Sequence, residues 1–155
     1  MAEVYQCRHL TGQRFRTFLK IADRIIPPDG EGPGGGMPEV AGIVDWSIEH
    51  MDPNLRKMLL LFITVFEYMG FLFGLKPFSK LSPERQDRQL RWLERSPISK
   101  IRMGFFGLKT YACMGYYSLE KVWPTIGYEG PLVADRAFPD ETIRALQKGL
   151  LEVRG

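Results

Sequence analysis

The sequence is short of the side chains that do chemistry. Its 155 residues include two histidines, His9 and His50, and two cysteines, Cys7 and Cys113. Catalysis needs positioned acids, bases, nucleophiles or metals, and a metal site usually needs three or four ligands in recognisable spacing. Neither pattern is visible. A c-type haem would need C-x-x-C-H, and the chain offers only Cys7-Arg8-His9. Nothing in the cysteine spacing points to a disulfide framework, so two reduced thiols are expected, with Cys113 buried. Charge of one sign is also scarce: 21 Lys and Arg against 18 Asp and Glu leave +3, which gives no electrostatic case for nucleic acid. No alternating strand pattern of any length and no internal repeat appear. The start, MAEVYQCRHLTGQRF, lacks an apolar signal core and consecutive arginines. The expectation is a cytoplasmic chain, open to peripheral membrane association, with no export address of its own.

What is present is apolar and helical. Hydrophobic residues make up 45% and charged ones 25%, a globular balance in a length that suits one domain spanning 1–155. In LTGQRFRTFLKIADRIIPP, Thr11 is placed to cap a helix carrying Phe15, Phe18, Ala22, Ile25 and Ile26 at helical spacing. Pro27 and Pro28 stop it. A second helix runs from Glu39 to about Met51, with Val40, Ile43, Val44, Ser47 and Ile48 on one side. A third opens with Asp52 as cap and Pro53 in the first turn. The fourth begins Ser82-Pro83-Glu84 and offers the i,i+4 pairs Glu84 with Arg88 and Asp87 with Arg91. A fifth fits Pro97 to about Tyr117, striped by Ile101, Phe105, Leu108 and Ala112. A last one fits Asp140 to Val153, with Ile143, Leu146 and Leu150 on one face. His9 falls where the terminus is expected to fray, and His50 ends the second helix. The predicted fold is all-α, five or six helices around one core.

Three stretches stand outside this plan. Residues 27–38, PPDGEGPGGGMP, hold five glycines and four prolines. Gly30, Gly32 and Gly35 fit G-x-G-x-x-G, but that motif needs a strand before it, and here a helix and two prolines precede it. An irregular connecting arm is the expected reading. Met58 to Leu75 is apolar nearly all round, about 27 Å long as a helix and close to bilayer thickness. Glu67 at its middle makes a single span costly, by about 2.5 to 3.5 kcal/mol. A central core position, a partner's surface and a lipid surface all remain open for it. A buried carboxylate is a flag for function, yet Glu67 has no companion base or nucleophile motif. Finally, GYYSLEKVWPTIGYEGPL opens an aromatic strap over 115–138. Tyrosine and tryptophan give large contact area at low entropic cost, Gly127 and Gly130 permit tight turns, and Pro124 and Pro131 stiffen the path. These rings either close the domain's own core or meet a partner.

Taken together, LTGQRFRTFLKIADRIIPPDGEGPG, LSPERQDRQLRWLE and FFGLKTYACMGYYSLEKVWPTIGYEGP resemble the gluconate 2-dehydrogenase subunit 3 family, the small subunits of flavin-dependent dehydrogenases. The likeness spans about residues 10–132 and is most specific in its last part. It implies a non-catalytic accessory subunit with no cofactor or metal of its own. The implied partner is a large glucose-methanol-choline type oxidoreductase that holds FAD and oxidises CH–OH groups. Small subunits of this family often carry a twin-arginine signal, which this sequence lacks, so the implied role is to stabilise the large chain. The residues expected to meet it are Tyr116, Tyr117, Trp123, Ile126, Gly127, Tyr128, Gly130 and Pro131 of the strap, with Pro27 and Pro28 of the arm. The alternative is a helical adaptor at a membrane surface, without a flavoenzyme partner.

Overall fold

Helix boundaries follow the stop and start chemistry of the chain. The computed structural model describes residues 3–30, 32–131 and 140–155. Glu31 of the expected arm and 132–138 of the expected strap lie outside the described residues. Helix α1 (Gly12–Ile25) ends one residue before Ile26, ahead of Pro27-Pro28. Thr11 holds the extended conformation of an N-cap, although its side chain makes no capping bond. Helix α2 spans Pro38–Glu49. Helix α3 spans Pro53–Gly74, and the Asp52 side chain accepts from the backbone N–H groups of Asn54 and Leu55 at 2.9 and 3.2 Å. That bond satisfies donors a helix start otherwise leaves open. A 3-10 turn at Phe78–Lys80 leads to α4 (Pro83–Glu94), and α5 (Ser99–Tyr117) follows. A 3-10 helix at Glu120–Ile126 continues from α5.

The core lies where α1, α2 and α5 meet, built from Phe18, Ile21, Ala22, Val40, Ile43, Val44, Ile48, Leu108 and Ala112. Each fully buried large side chain there contributes roughly 1.5–3 kcal/mol. The glycine-rich arm folds back on the end of α1. The Gly35 N–H donates to the Ile26 carbonyl at 2.7 Å, and a Cβ at Gly35 would strike the Ala22 carbonyl. Only glycine lets the two backbones come that close.

Several expectations are corrected. The C-terminal helix α6 is only Glu141–Gln147. Gly149 turns the chain, and strand β2 (Leu151–Arg154) pairs in parallel with strand β1 (Glu3–Gln6), Glu3 opposite Leu151 and Gln6 opposite Arg154. Four residues are too few to show a period of two, so the strands left no trace in the pattern. Leu150, expected on a buried face, is exposed. Cys7 is the buried thiol and Cys113 only half-buried; both are free. Burial, helped by the Asp45 carboxylate, pushes the Cys7 thiol up to about 12. Asp87 pairs with Arg24 across α1 and α4, with two hydrogen bonds of 2.8 and 2.6 Å. That bond to Arg24 holds its carboxyl below the usual range, with Arg91 a lesser contributor.

The N-terminal segment is not frayed. Asp45 of α2 is wholly buried and accepts from the backbone N–H groups of Arg8, His9 and Leu10 at 2.9, 2.8 and 2.7 Å. The Tyr5 hydroxyl donates to it at 3.2 Å, and burial together with that carboxylate raises the Tyr5 phenol.

Candidate partner interface

The strap is built by anchoring some side chains inward and leaving others out. Leu119 and Val122 are fully buried, and Tyr116 is 5% exposed. The Lys121 ammonium pairs with Glu39 at the start of α2 at 2.6 Å. The Trp123 indole N–H donates to the Tyr117 carbonyl at 3.0 Å, and the Tyr128 N–H donates to the Trp123 carbonyl at 2.9 Å. Trp123 and Tyr128 meet edge to face at 5.2 Å, as Tyr116 and Tyr117 do at 5.1 Å. Such ring pairs add about 0.5–1.5 kcal/mol beyond burial.

The expected interface residues are therefore divided. Tyr116 belongs to the core, its hydroxyl against the arm at Gly32 and Gly34, and burial raises its phenol. Trp123 is half-buried as the strap's internal brace. Gly127 closes the 3-10 helix in the left-handed conformation, and Gly130 lies against the Trp123 ring. Tyr117, Ile126, Tyr128, Pro131, Pro27 and Pro28 face outward.

Glu67 is buried on the inner side of α3 and fully engaged. Gln13 Nε2 donates to it at 2.8 Å, Thr17 Oγ1 at 2.9 Å, and Ser79 through its N–H at 3.0 Å and its hydroxyl at 2.5 Å. Gly70 makes this possible, since a Cβ there would strike the backbone of Phe78 in the 3-10 turn that carries Ser79. The carboxylate thus ties α1, α3 and that turn together, and no second acid or base faces it among these partners. Asp45 plays the same role at the other end. Among the described residues no three His, Cys, Asp or Glu side chains converge as a metal would require.

The larger surprise lies on the outer side of α3. That helix has the length and composition of a membrane span, yet only 22% of its most apolar window is buried. Leu61, Val65, Tyr68 and Leu72 are exposed, and so are Met103 and Phe106 of α5. Between these helices runs an apolar groove of about 580 Å³.

Residues 13–130 match the family model described as gluconate 2-dehydrogenase subunit 3. The chain belongs to that family. The match runs from the first turn of α1 to residue 130, so it covers α1 to α5 and the 3-10 helix that follows. Strand β1, α6 and β2 lie outside it. No curated protein and no solved structure matches the chain. The family's description makes it a dehydrogenase subunit, which is consistent with an accessory role.

Sequence reasoning placed the interface in the strap and left the place of α3 open. The outer residues Met58, Leu61, Val65, Tyr68, Leu72 and Leu75 repeat at spacings of three and four, but so do the inner Leu59, Phe62, Phe66, Met69 and Phe73, so the pattern alone did not choose a face.

Proposed function

We propose that this chain is the non-catalytic small subunit of an FAD-dependent dehydrogenase of the glucose-methanol-choline type, and that it binds and stabilises the large subunit. The family membership carries the reading, and the uncovered apolar surface supports it. A contiguous exposed patch larger than a few hundred Å² marks an interaction site on a soluble protein. In the strap, Tyr117, Ile126 and Tyr128 are offered to that partner, held in place by Leu119, Val122 and Trp123. Such preorganisation lowers the cost of immobilising side chains on binding.

FAD belongs to the partner in this reading, and two amides of the glycine-rich segment are engaged within the chain. The Gly32 N–H donates to Asp29 Oδ1 at 2.9 Å and the Gly35 N–H to Ile26, so neither amide is free for a pyrophosphate. The test is co-expression with a glucose-methanol-choline type flavoprotein from the same genome. The tagged small chain should pull down a yellow complex with the visible absorbance of a bound flavin, and should be colourless alone. A colourless pulldown, or flavin held by the small chain alone, would overturn the proposal.

A further inference from the structure

Met58, Leu61, Val65, Tyr68, Leu72 and Leu75 lie between 47% and 85% exposed. Their spacing, three-four-three-four-three, is the period that keeps one stripe of a helix facing a second helix. From Met58 to Leu75 the only charged side chain is Glu67, which points inward. Beside the first half of the stripe, the groove is lined by Leu55, Met58, Phe62, Met103 and Gly107, with Lys100 as the charged side chain at its wall. Space above Gly107 is open, so side chains of a docked helix have room to enter. Met103 and Phe106 of α5 are exposed as well, and a stable complex of standard size buries about 800 Å² on each partner.

Charge selects the occupant. Arg56 and Lys57 stand at one end of the stripe and Lys76 at the other. Asp52 is already engaged in capping α3. Two copies packed seam to seam would oppose Lys57 to Lys76 when antiparallel, and each lysine to its own copy when parallel. Both arrangements set like charges together. A lipid surface suits the face poorly too. A groove with open space above Gly107 takes interdigitating side chains, which a fluid surface does not offer. Leu75 adds a separate sign. It is 85% exposed and held at φ 57°, a left-handed conformation unfavourable for a leucine that returns no contact within this chain's core.

We propose that this seam and groove form a docking site for one amphipathic helix of the large subunit, about 18 residues long, apolar at heptad spacing and flanked by carboxylates at both ends. The proposal rests on the functional reading above. It assigns α3 as a contact separate from the strap.

The test uses the full chain co-expressed with the same flavoprotein. Leu61→Glu and Leu72→Glu should each lower the flavin recovered per small chain at least tenfold, while the purified variants unfold at the wild-type temperature. A benzoylphenylalanine photocrosslinker at Val65 should attach to an acid-flanked helical peptide of the flavoprotein. Lys57→Glu combined with Lys76→Glu should weaken the complex severalfold at low salt, a difference that fades at high salt. Full flavin recovery by both leucine variants overturns the docking site and leaves the subunit reading standing. So does a crosslink to a second copy of this chain, or flotation with phosphatidylglycerol vesicles that the leucine variants abolish while flavin recovery persists. A wild-type pulldown without flavin overturns the subunit reading and the docking site with it.

Discussion

Helices α2 and α3 are both rich in aliphatic side chains, and each carries one buried carboxylate held by a full set of donors. Their surroundings differ. Seven of the twelve residues of α2 are buried, against four of the twenty-two in α3. Around α2 stand α1, α5, α6 and β2, so every side finds cover. Helix α3 meets α1, α4, α5 and the 3-10 turn on one side only. An apolar composition says that a helix must be covered, and it is silent on which chain supplies the cover. In α2 this chain supplies it. In α3 half the cover is missing, and the missing half has the period of a helix.

The comparison breaks most readily at Asp45. Replacing it with alanine strips the acceptor from three backbone N–H groups and the Tyr5 hydroxyl, and should cost about 3–5 kcal/mol by analogy with other uncompensated buried partners. Urea titration of Asp45→Ala reads this directly. A loss below about 1 kcal/mol would mean that α2 does not fix the N-terminal segment, and that its burial is no measure of its importance. A smaller effect is expected from alkali. The Cys7 thiol is raised in the folded chain, so the folded state keeps a proton that the unfolded state releases. Stability from this group is whole below the ordinary thiol range and is lost as pH climbs from about 9 toward 12. The slope should be about 1.4 kcal/mol per pH unit, with the raised Tyr5 phenol adding at the upper end. The Cys7→Ala chain should show a shallower alkaline decline. An unchanged slope would place the titration elsewhere.

How much of this was legible depended on how local the cause was. The boundaries at Pro27-Pro28, Asp52-Pro53 and Ser82-Pro83 were readable because capping and proline chemistry act within a few residues. The β1–β2 pairing was not, because it joins the two ends of the chain and each strand has only four residues. Asp87 was read as the neighbour of Arg91, but the packing of α1 on α4 brings Arg24 nearer. In the strap, the ring-rich sequence was visible, while the division into buried Tyr116 and exposed Tyr117 depends on the rotation of α5. For α3, the inner residues Leu59, Phe62, Phe66, Met69 and Phe73 are as apolar as the outer stripe. Hydrophobicity alone therefore had no contrast from which to choose a face.

The finest test of the α2–α3 contrast is at Leu75, where the two demands on α3 diverge. For the isolated chain a leucine at φ 57° is a poor choice, since glycine adopts that conformation without the clash of a Cβ. Glycine also gives the unfolded chain more freedom, which offsets part of the relief. Leu75→Gly should thus raise the stability of the free chain by about 0.5 kcal/mol, seen as a rise of a degree or two in unfolding temperature. If the outer stripe of α3 is covered by another polypeptide, the same substitution removes the last apolar residue of that stripe and should lower flavin recovery in the complex. Stability and partner binding would then move in opposite directions. Should both rise together, Leu75 is an ordinary helix end, and the exposed stripe stops at Leu72.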